Sequence, residues 1–324
     1  MPQDNFSNDQ IFPPAVDEIK EGFYPRYLAA KKGIDDRALN RQVWETLRQA
    51  LPQSTGRGPA TILEIGAGIG TMLERIVDWG VLTGPATYLL TDSARDHLRA
   101  ARRHIAEWAG HQGYDLVWQG EESGLLRTAS VEVSLVFEAA SAEELAGRAD
   151  TYGPFHLLIA HAVLDLIDFP AVLPRLLTRL EVKGLAYLTC NFDGDTVFLP
   201  EYHGDEEREI ISRYHASMEA RVSGASHTGS RLVTFLHDLR MEILVAGRSD
   251  WAVHPQNSVY PMDEAFFLNA IIDTVEQELT HNSGPAPSAL AAWAKTRRWQ
   301  VEAGELSFLA RHLDLLARSP TPLS

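Results

Sequence analysis

Apolar residues fall along the chain in short, nearly continuous runs separated by longer stretches with helical spacing. The runs Ile62 to Ile65, Thr87 to Thr91, Val131 to Phe137, Phe155 to Ala160 and Leu185 to Asn191 have the length of strands covered on both faces, as in a parallel sheet. Helices are predicted between them, one from Ser93 as N-cap to about Ala109 with Asp96 completing an approximate capping box, another near Pro174 to Leu180. Strands and helices in alternation predict an α/β protein with a doubly wound sheet. After the fifth strand comes an insertion, 196–229, with a helix over Glu206 to Arg221 and a loop over Ser223 to Gly229. A helix (Arg231 to Leu239), a strand (Met241 to Ala246), a polar turn (Gly247 to Asp250) and a strand (Trp251 to His254) then predict a closing antiparallel hairpin. Residues 15–52 read as helical from the spacing of Leu39, Val43, Leu47 and Leu51, with Pro25 and Pro52 as punctuation. Residues 262–318 read as two or three helices broken by Asn282 to Pro287, and no internal repeat is visible.

The first strand leads into Ile62-Leu63-Glu64-Ile65-Gly66-Ala67-Gly68-Ile69-Gly70. Three alternating glycines after a buried strand let the backbone turn tightly and come within van der Waals reach of a nucleotide-like ligand, where a Cβ would block both. A dinucleotide fingerprint would place its third glycine at 71, but Thr71 stands there and the glycine is Gly70, with Glu64 two residues before the first. The second strand ends in Asp92, about 20 residues beyond the turn, where an acidic side chain holds a ribose diol. The alternative is that Asp92 only caps the following helix.

The order E-x-G-x-G-x-G after a strand resembles motif I of the class I S-adenosylmethionine (SAM) dependent methyltransferases, and the resemblance extends over roughly residues 59–256. It implies a Rossmann-like seven-stranded doubly wound sheet, with strand seven antiparallel. It also implies a SAM site using Glu64, Gly66, Gly68, Gly70, Asp92 and Ser93. The adenine edge falls after the third strand, on Ser141 and Ala142 or on Glu138; Ser141 as a plain helix cap is the competing reading. His156 stands where many members of the family carry an acidic residue, a departure from the pattern. On this reading residues 1–58 form a helical lid, 59–256 the SAM-binding core and 257–324 a helical extension.

Composition narrows the partners. The 324 residues are 45% hydrophobic with no apolar run near 18, enough for one large core and no membrane span. A polar start over Met1 to Pro14 and a single cysteine make a reducing cytoplasm the expectation. A formal charge of −15 would repel phosphates, so nucleic acid is not an expected partner. The basic clusters Arg99-Arg102-Arg103 and Arg297-Arg298 read as solvated helix faces. The segment after the fourth strand also lacks the Asn or Asp followed by two prolines and an aromatic with which amino-group nucleic-acid methyltransferases grip a base. The expected acceptor is a small molecule, and no metal is expected.

Methyl transfer to a hydroxyl needs alignment and a proton acceptor. Among the twelve histidines His161, at the end of the fourth strand, is best placed as a base. The stretch from Tyr24 to Asn40, dense in aromatic, basic and amide groups, offers Arg37 or Asn40 for the methionine carboxylate and Tyr27 for the acceptor. Each has the alternative of being ordinary packing or surface. Tyr202, His203, Asn257 and Tyr260 are further positions, and Cys190 reads as a small core residue. Three function classes follow: a methyltransferase acting on oxygen or nitrogen of a small molecule, a SAM-binding regulatory or degenerate protein without turnover, and an NAD(P)-dependent oxidoreductase.

Overall fold

The computed structural model describes residues 22–51, 59–148, 153–220, 225–281 and 286–320. In chain order the elements are α1 (Phe23–Ala38), α2 (Arg41–Ala50), β1 (Ala60–Ile65), α3 (Thr71–Asp78), β2 (Ala86–Asp92), α4 (Arg95–Gln112), β3 (Asp115–Trp118), β4 (Ser123–Arg127), β5 (Glu132–Ala139) and α5 (Ala142–Gly147). They continue with β6 (Phe155–His161), α6 (Phe169–Leu177), β7 (Leu180–Leu199), α7 (Asp205–Glu219), α8 (Thr228–Asp238), β8 (Glu242–Arg248), β9 (Trp251–Val253), α9 (Glu264–His281), α10 (Pro287–Glu302) and β10 (Ser307–Arg318). The sheet runs β3-β4-β5-β2-β1-β6-β7-β10-β8, with β9 also paired to β10. The central strands β5, β2, β1, β6 and β7 are parallel, while β3, β4, β8, β9 and β10 pair antiparallel.

Period-two alternation decides which face each strand residue covers. Ile62 of β1 packs with Leu73, Ile76 and Ile105 of α3 and α4 and with Val43 and Leu47 of α2. Its neighbours Leu63 and Ile65 pack on the other face with Leu145, Leu173, Leu176, Leu232 and Leu236 of α5, α6 and α8. A third core joins α1, α7, α9 and α10 to the far ends of β7, β9 and β10, through Ile34, Ile210, Phe267, Trp293, Phe198 and Phe308. This third layer covers one end of the sheet.

Several expectations are corrected. The antiparallel strand beside β7 is β10, not Trp251 to His254; β8 and β9 each pair with β10 rather than with one another. The segment read as a purely helical extension therefore supplies a strand inserted between β7 and β8, and residue 256 does not bound the sheet. Leu, Ala and Arg in β10 favour helix when taken singly, but bonding to a strand on both sides overrides propensity. Gly304, at φ 66°, ends α10, and a Cβ there would lie 2.0 Å from the Ser258 carbonyl oxygen.

β7 is longer than its apolar run because Asp193 to Leu199 continues the ladder with β10. The hairpin β3–β4 was not expected at all. Pro25 lies in the first turn of α1, where a missing N–H leaves no bond unmade, so the helix breaks instead at Leu39–Asn40. Residues 15–21, Pro52 and parts of the 223–229 and 282–287 loops, for which the sequence predicts helix, punctuation and breaks, lie outside the described residues. Arg297 is no surface residue: it is fully buried, with Glu207, Gln300 and the Pro200 carbonyl as partners. Arg102 does lie on a helix face, its guanidinium 3.9 Å over the Trp118 ring.

Candidate active site

The turn between β1 and α3 holds all three glycines in the left-handed region, with φ of 65° at Gly66, 54° at Gly68 and 79° at Gly70. Side chains are excluded twice over, by dihedral and by space. A Cβ at Gly66 would stand 2.6 Å from Val163 Cγ2, and one at Gly68 would stand 2.7 Å from Leu28 Cδ1. The turn is tied to β2 by the Ala67 N–H on the Thr91 carbonyl (2.9 Å) and by the Thr91 hydroxyl on the Glu64 carbonyl (2.7 Å). The loop sits at the carboxyl end of β1, between β2 on one side and β6 on the other, where the strand order reverses. In open α/β sheets that is where ligands bind.

Around this turn the predicted cofactor residues lie as follows. Glu64 is buried and accepts the Tyr88 hydroxyl at 2.7 Å; burial pushes its carboxyl up to about 8 despite the Tyr88 bond and nearby Arg75. Asp92 ends β2, and its Oδ2 accepts the Gly68 N–H at 2.9 Å. Its Oδ1 accepts the Ala94 N–H at 2.9 Å and faces His97 Nδ1 at 2.9 Å. The Tyr24 ring stacks on His97 with centroids 4.3 Å apart. Ser93 is exposed and does not cap: α4 begins at Arg95 with Ala94 as N-cap, and Asp96 pairs with Arg99 at 2.6 Å.

Ser141 caps α5 in a reciprocal box, its hydroxyl accepting the Glu144 N–H (3.1 Å) and its own N–H donating to Glu144 Oε2 (2.9 Å). Both of its polar groups are thus engaged locally. Ala142 follows as the first helical residue, and Glu138 is paired with Arg148.

α1 crosses the carboxyl ends of the strands. Tyr24 meets His97 beyond β2, Leu28 meets Gly68 beyond β1, and Asp35 meets His161 at the end of β6. Positions 24, 28, 31 and 35 repeat at helical spacing and share one face, which explains the choice. Arg37 and Asn40 fall away from it. Arg37 pairs with Glu264 at 2.7 Å, and Asn40 caps α2 through the Gln42 and Val43 N–H groups. Tyr27 stacks on Phe267 at 5.7 Å, and burial holds its phenol well above the usual range.

Asp35 is the hub that sequence reasoning missed. It is 2% exposed, 2.8 Å from Lys31 Nζ, 3.1 Å from His161 Nε2, 2.9 Å from Trp251 Nε1 and 3.8 Å from Arg75. Burial alone would raise its pKa, but Lys31, His161 and Arg75 outweigh burial and hold the carboxyl well below the usual carboxylate range. His161 Nδ1 pairs with the Thr189 hydroxyl at 2.9 Å, and burial lowers the imidazole to about 4 against the pull of Asp35. With Asp35 ionised and His161 neutral, Nε2–H donates to Asp35 and Nδ1 accepts from Thr189.

Cys190 sits in a bulge of β7 at φ 52°, its N–H on Asp314 (2.8 Å), its thiol 4.0 Å from Asp35 and pushed up by burial. Tyr202, His203 and Tyr260 find their partners in the helical layer: Tyr202 with His203 and Arg297, and Tyr260 on the Leu306 carbonyl. Asn257 lies in the loop after β9 at φ 52°.

No family model and no curated protein sequence matches the chain. Solved structures do. One is a Bacillus halodurans C-125 protein named as a methyltransferase, at TM-score 0.46 and 15% identity, covering 86% of this chain and 98% of that one. A second is Haemonchus contortus phosphoethanolamine N-methyltransferase 2, at 0.43 and 11%, covering 94% of this chain and 59% of that one. A third is the cyclase SpnF, at 0.43 and 12%, covering 93% and 95%. The strand order β5-β2-β1-β6-β7, the antiparallel strand beside β7 and the glycine turn after β1 give this chain a Rossmann-like doubly wound fold.

Proposed function

We propose that the chain is a SAM-dependent methyltransferase that moves a methyl group to an oxygen or nitrogen atom of a small molecule. The observation that carries this reading is the pairing of three left-handed glycines with an acidic residue bonded to the same turn, at the reversal point of the sheet. The site suits SAM: the glycine turn Gly66 to Gly70, bare of side chains at three positions, for the amino-acid half, Asp92 for the ribose, and the β5–α5 turn from Glu138 to Ala142 for the adenine. SAM supplies an electrophilic methyl on a sulfonium. The chain's own residues align the acceptor and exclude water, and where the acceptor is a hydroxyl His161 takes its proton at Nδ1, which then exchanges the Thr189 hydroxyl for the acceptor.

A small acceptor agrees with a roof made by the chain itself and with a formal charge of −15, which disfavours nucleic acid. No helix among the described residues is long and apolar enough to cross a membrane. A cytoplasmic setting suits the one buried cysteine.

A second reading, a SAM-binding protein without turnover, is favoured by one observation: Leu28 packs on Gly68, and both Asp92 oxygens are engaged within the protein. Incubation with SAM and a panel of metabolites, followed by mass spectrometry, separates the two. One methyl added to one metabolite class is expected. Binding of S-adenosylhomocysteine with no methyl product supports the second reading, and stabilisation by NAD alone rejects both. Asp92→Ala should remove a charge-assisted contact worth roughly 1.5–3 kcal/mol, weakening S-adenosylhomocysteine about tenfold or more by calorimetry. Unchanged affinity would leave Asp92 as a brace of the glycine turn only.

A further inference from the structure

The groups around Asp35 divide sharply by origin. The core contributes donors: Trp251 Nε1–H from β9, His161 Nε2–H from β6 and the Arg75 guanidinium from α3. α1 contributes the acceptor, the Asp35 carboxylate, together with Lys31. Among the described residues every ion partner of Arg75 comes from α1: Asp36 at 2.7 Å and Asp35 at 3.8 Å. Arg75 is 1% exposed, and its other acidic neighbour, Glu64, has its carboxyl pushed up to about 8, so it is largely uncharged at neutral pH. Without α1 the core would hold a buried cation and two aimed N–H donors around a carboxylate-sized gap. Buried groups of that kind are strongly destabilised when unpaired.

The same cluster has metal-ligand types, with donor atoms of Asp35, His161 and Cys190 all within 4.8 Å of one another. A metal is the poorer reading, because Lys31 and Arg75 already bring two positive charges to this carboxylate. What the cluster is built to receive is an anion.

We infer that Asp35 occupies a carboxylate-binding site formed by Trp251, His161 and Arg75, and that a carboxylate-bearing ligand replaces it when α1 lifts. This rests on the methyltransferase reading for the identity of that ligand. The carboxylate comes either from the amino-acid half of SAM or from the methyl acceptor. Displacement of α1 removes two acidic and two basic residues together, Asp35 and Asp36 with Lys31 and Lys32, so the net charge at the site does not change. The incoming carboxylate then restores the counter-charge of Arg75.

The test compares the wild-type chain with Asp35→Asn, which keeps the shape and removes the charge. The probes are S-adenosylhomocysteine, 5′-methylthioadenosine (the same nucleoside thioether without the amino acid) and sodium acetate against sodium chloride at equal ionic strength. If the cofactor supplies the carboxylate, Asp35→Asn gains about tenfold in affinity for S-adenosylhomocysteine and less than twofold for 5′-methylthioadenosine. If the acceptor supplies it, both nucleosides stay within twofold of wild type. Acetate, and not chloride, then raises the melting temperature of Asp35→Asn saturated with S-adenosylhomocysteine.

Equal gains for both nucleosides would make Asp35 a simple latch and overturn the site, as would no selective response to any carboxylate. If neither nucleoside binds either protein, the methyltransferase reading fails, and the acetate comparison on the free protein still decides the carboxylate site. Should Asp35→Asn fail to fold, amide exchange in the wild-type protein takes its place. Acetate should speed exchange across Phe23 to Ala38 relative to chloride, and an unchanged rate would contradict the proposal.

Discussion

Asp35→Ala is expected to cost about 3–5 kcal/mol of folding stability, the usual penalty for removing one partner of a buried ionic cluster. The size follows from what remains. Lys31 and Arg75 are 5% and 1% exposed, and with Asp35 gone, among the described residues, Lys31 has no acidic partner while Arg75 keeps only Asp36. Trp251 Nε1–H and His161 Nε2–H lose their acceptor at the same time. The loss should also change with pH. Lys31, His161 and Arg75 depress the Asp35 carboxyl below its ordinary value, so its contribution is fully present above about pH 4 and fades as the pH falls further. Urea unfolding at pH 7 checks the magnitude; a difference below about 1 kcal/mol would mean that α1 contributes little through this cluster.

His161→Ala is expected to lower methyl transfer at saturating SAM by roughly 10² or more, the usual contribution of a positioned base. Sequence reasoning alone would put the acid limb of the rate near pH 6 to 6.5, the ordinary range of histidine. The structure moves it. Burial lowers His161 to about 4, so its neutral form persists through mildly acidic pH, and the limb belongs near pH 4. The same shift has a stability counterpart. Between about pH 6.5 and 4 the unfolded chain takes up a proton that the folded His161 refuses, so stability falls as the pH falls through that window. A rate profile breaking near pH 6.5 would place the base on a histidine outside this buried cluster. An unchanged rate in His161→Ala would leave the imidazole as a structural partner of Thr189 and Asp35.

The parallel half of the sheet was legible because burial on both faces writes nearly continuous apolar runs into β1, β2 and β6, while β5 alternates buried and exposed positions, and because positive φ demands glycine at positions 66, 68 and 70. β10 was not legible. Its residues are individually helix-favouring, and only the ladders to β7 and β8, distant in sequence, make it a strand. The site divides in the same way. Local signals located the glycine turn and the acidic end of β2, and the stretch from Tyr24 to Asn40 was singled out for its polar and aromatic content. Which of its residues face the sheet depends on the rotation of α1, fixed by packing against α9, β9 and α4. That packing points Leu28, Lys31 and Asp35 inward and leaves Arg37 paired to Glu264. Asp35 and Arg75, a buried pair brought together from two helices, had no local signature to betray them.

We propose that the carboxyl edge of β1, β2 and β6, now covered by α1, is a SAM site. Hydrogen exchange with and without S-adenosylhomocysteine, with NAD as control, tests it most directly. Slowed exchange at Gly66 to Gly70 and around Asp92 to His97, altered exchange across Phe23 to Ala38, and no change with NAD are expected. No effect of S-adenosylhomocysteine at these three segments, or the same protection by NAD, would contradict it.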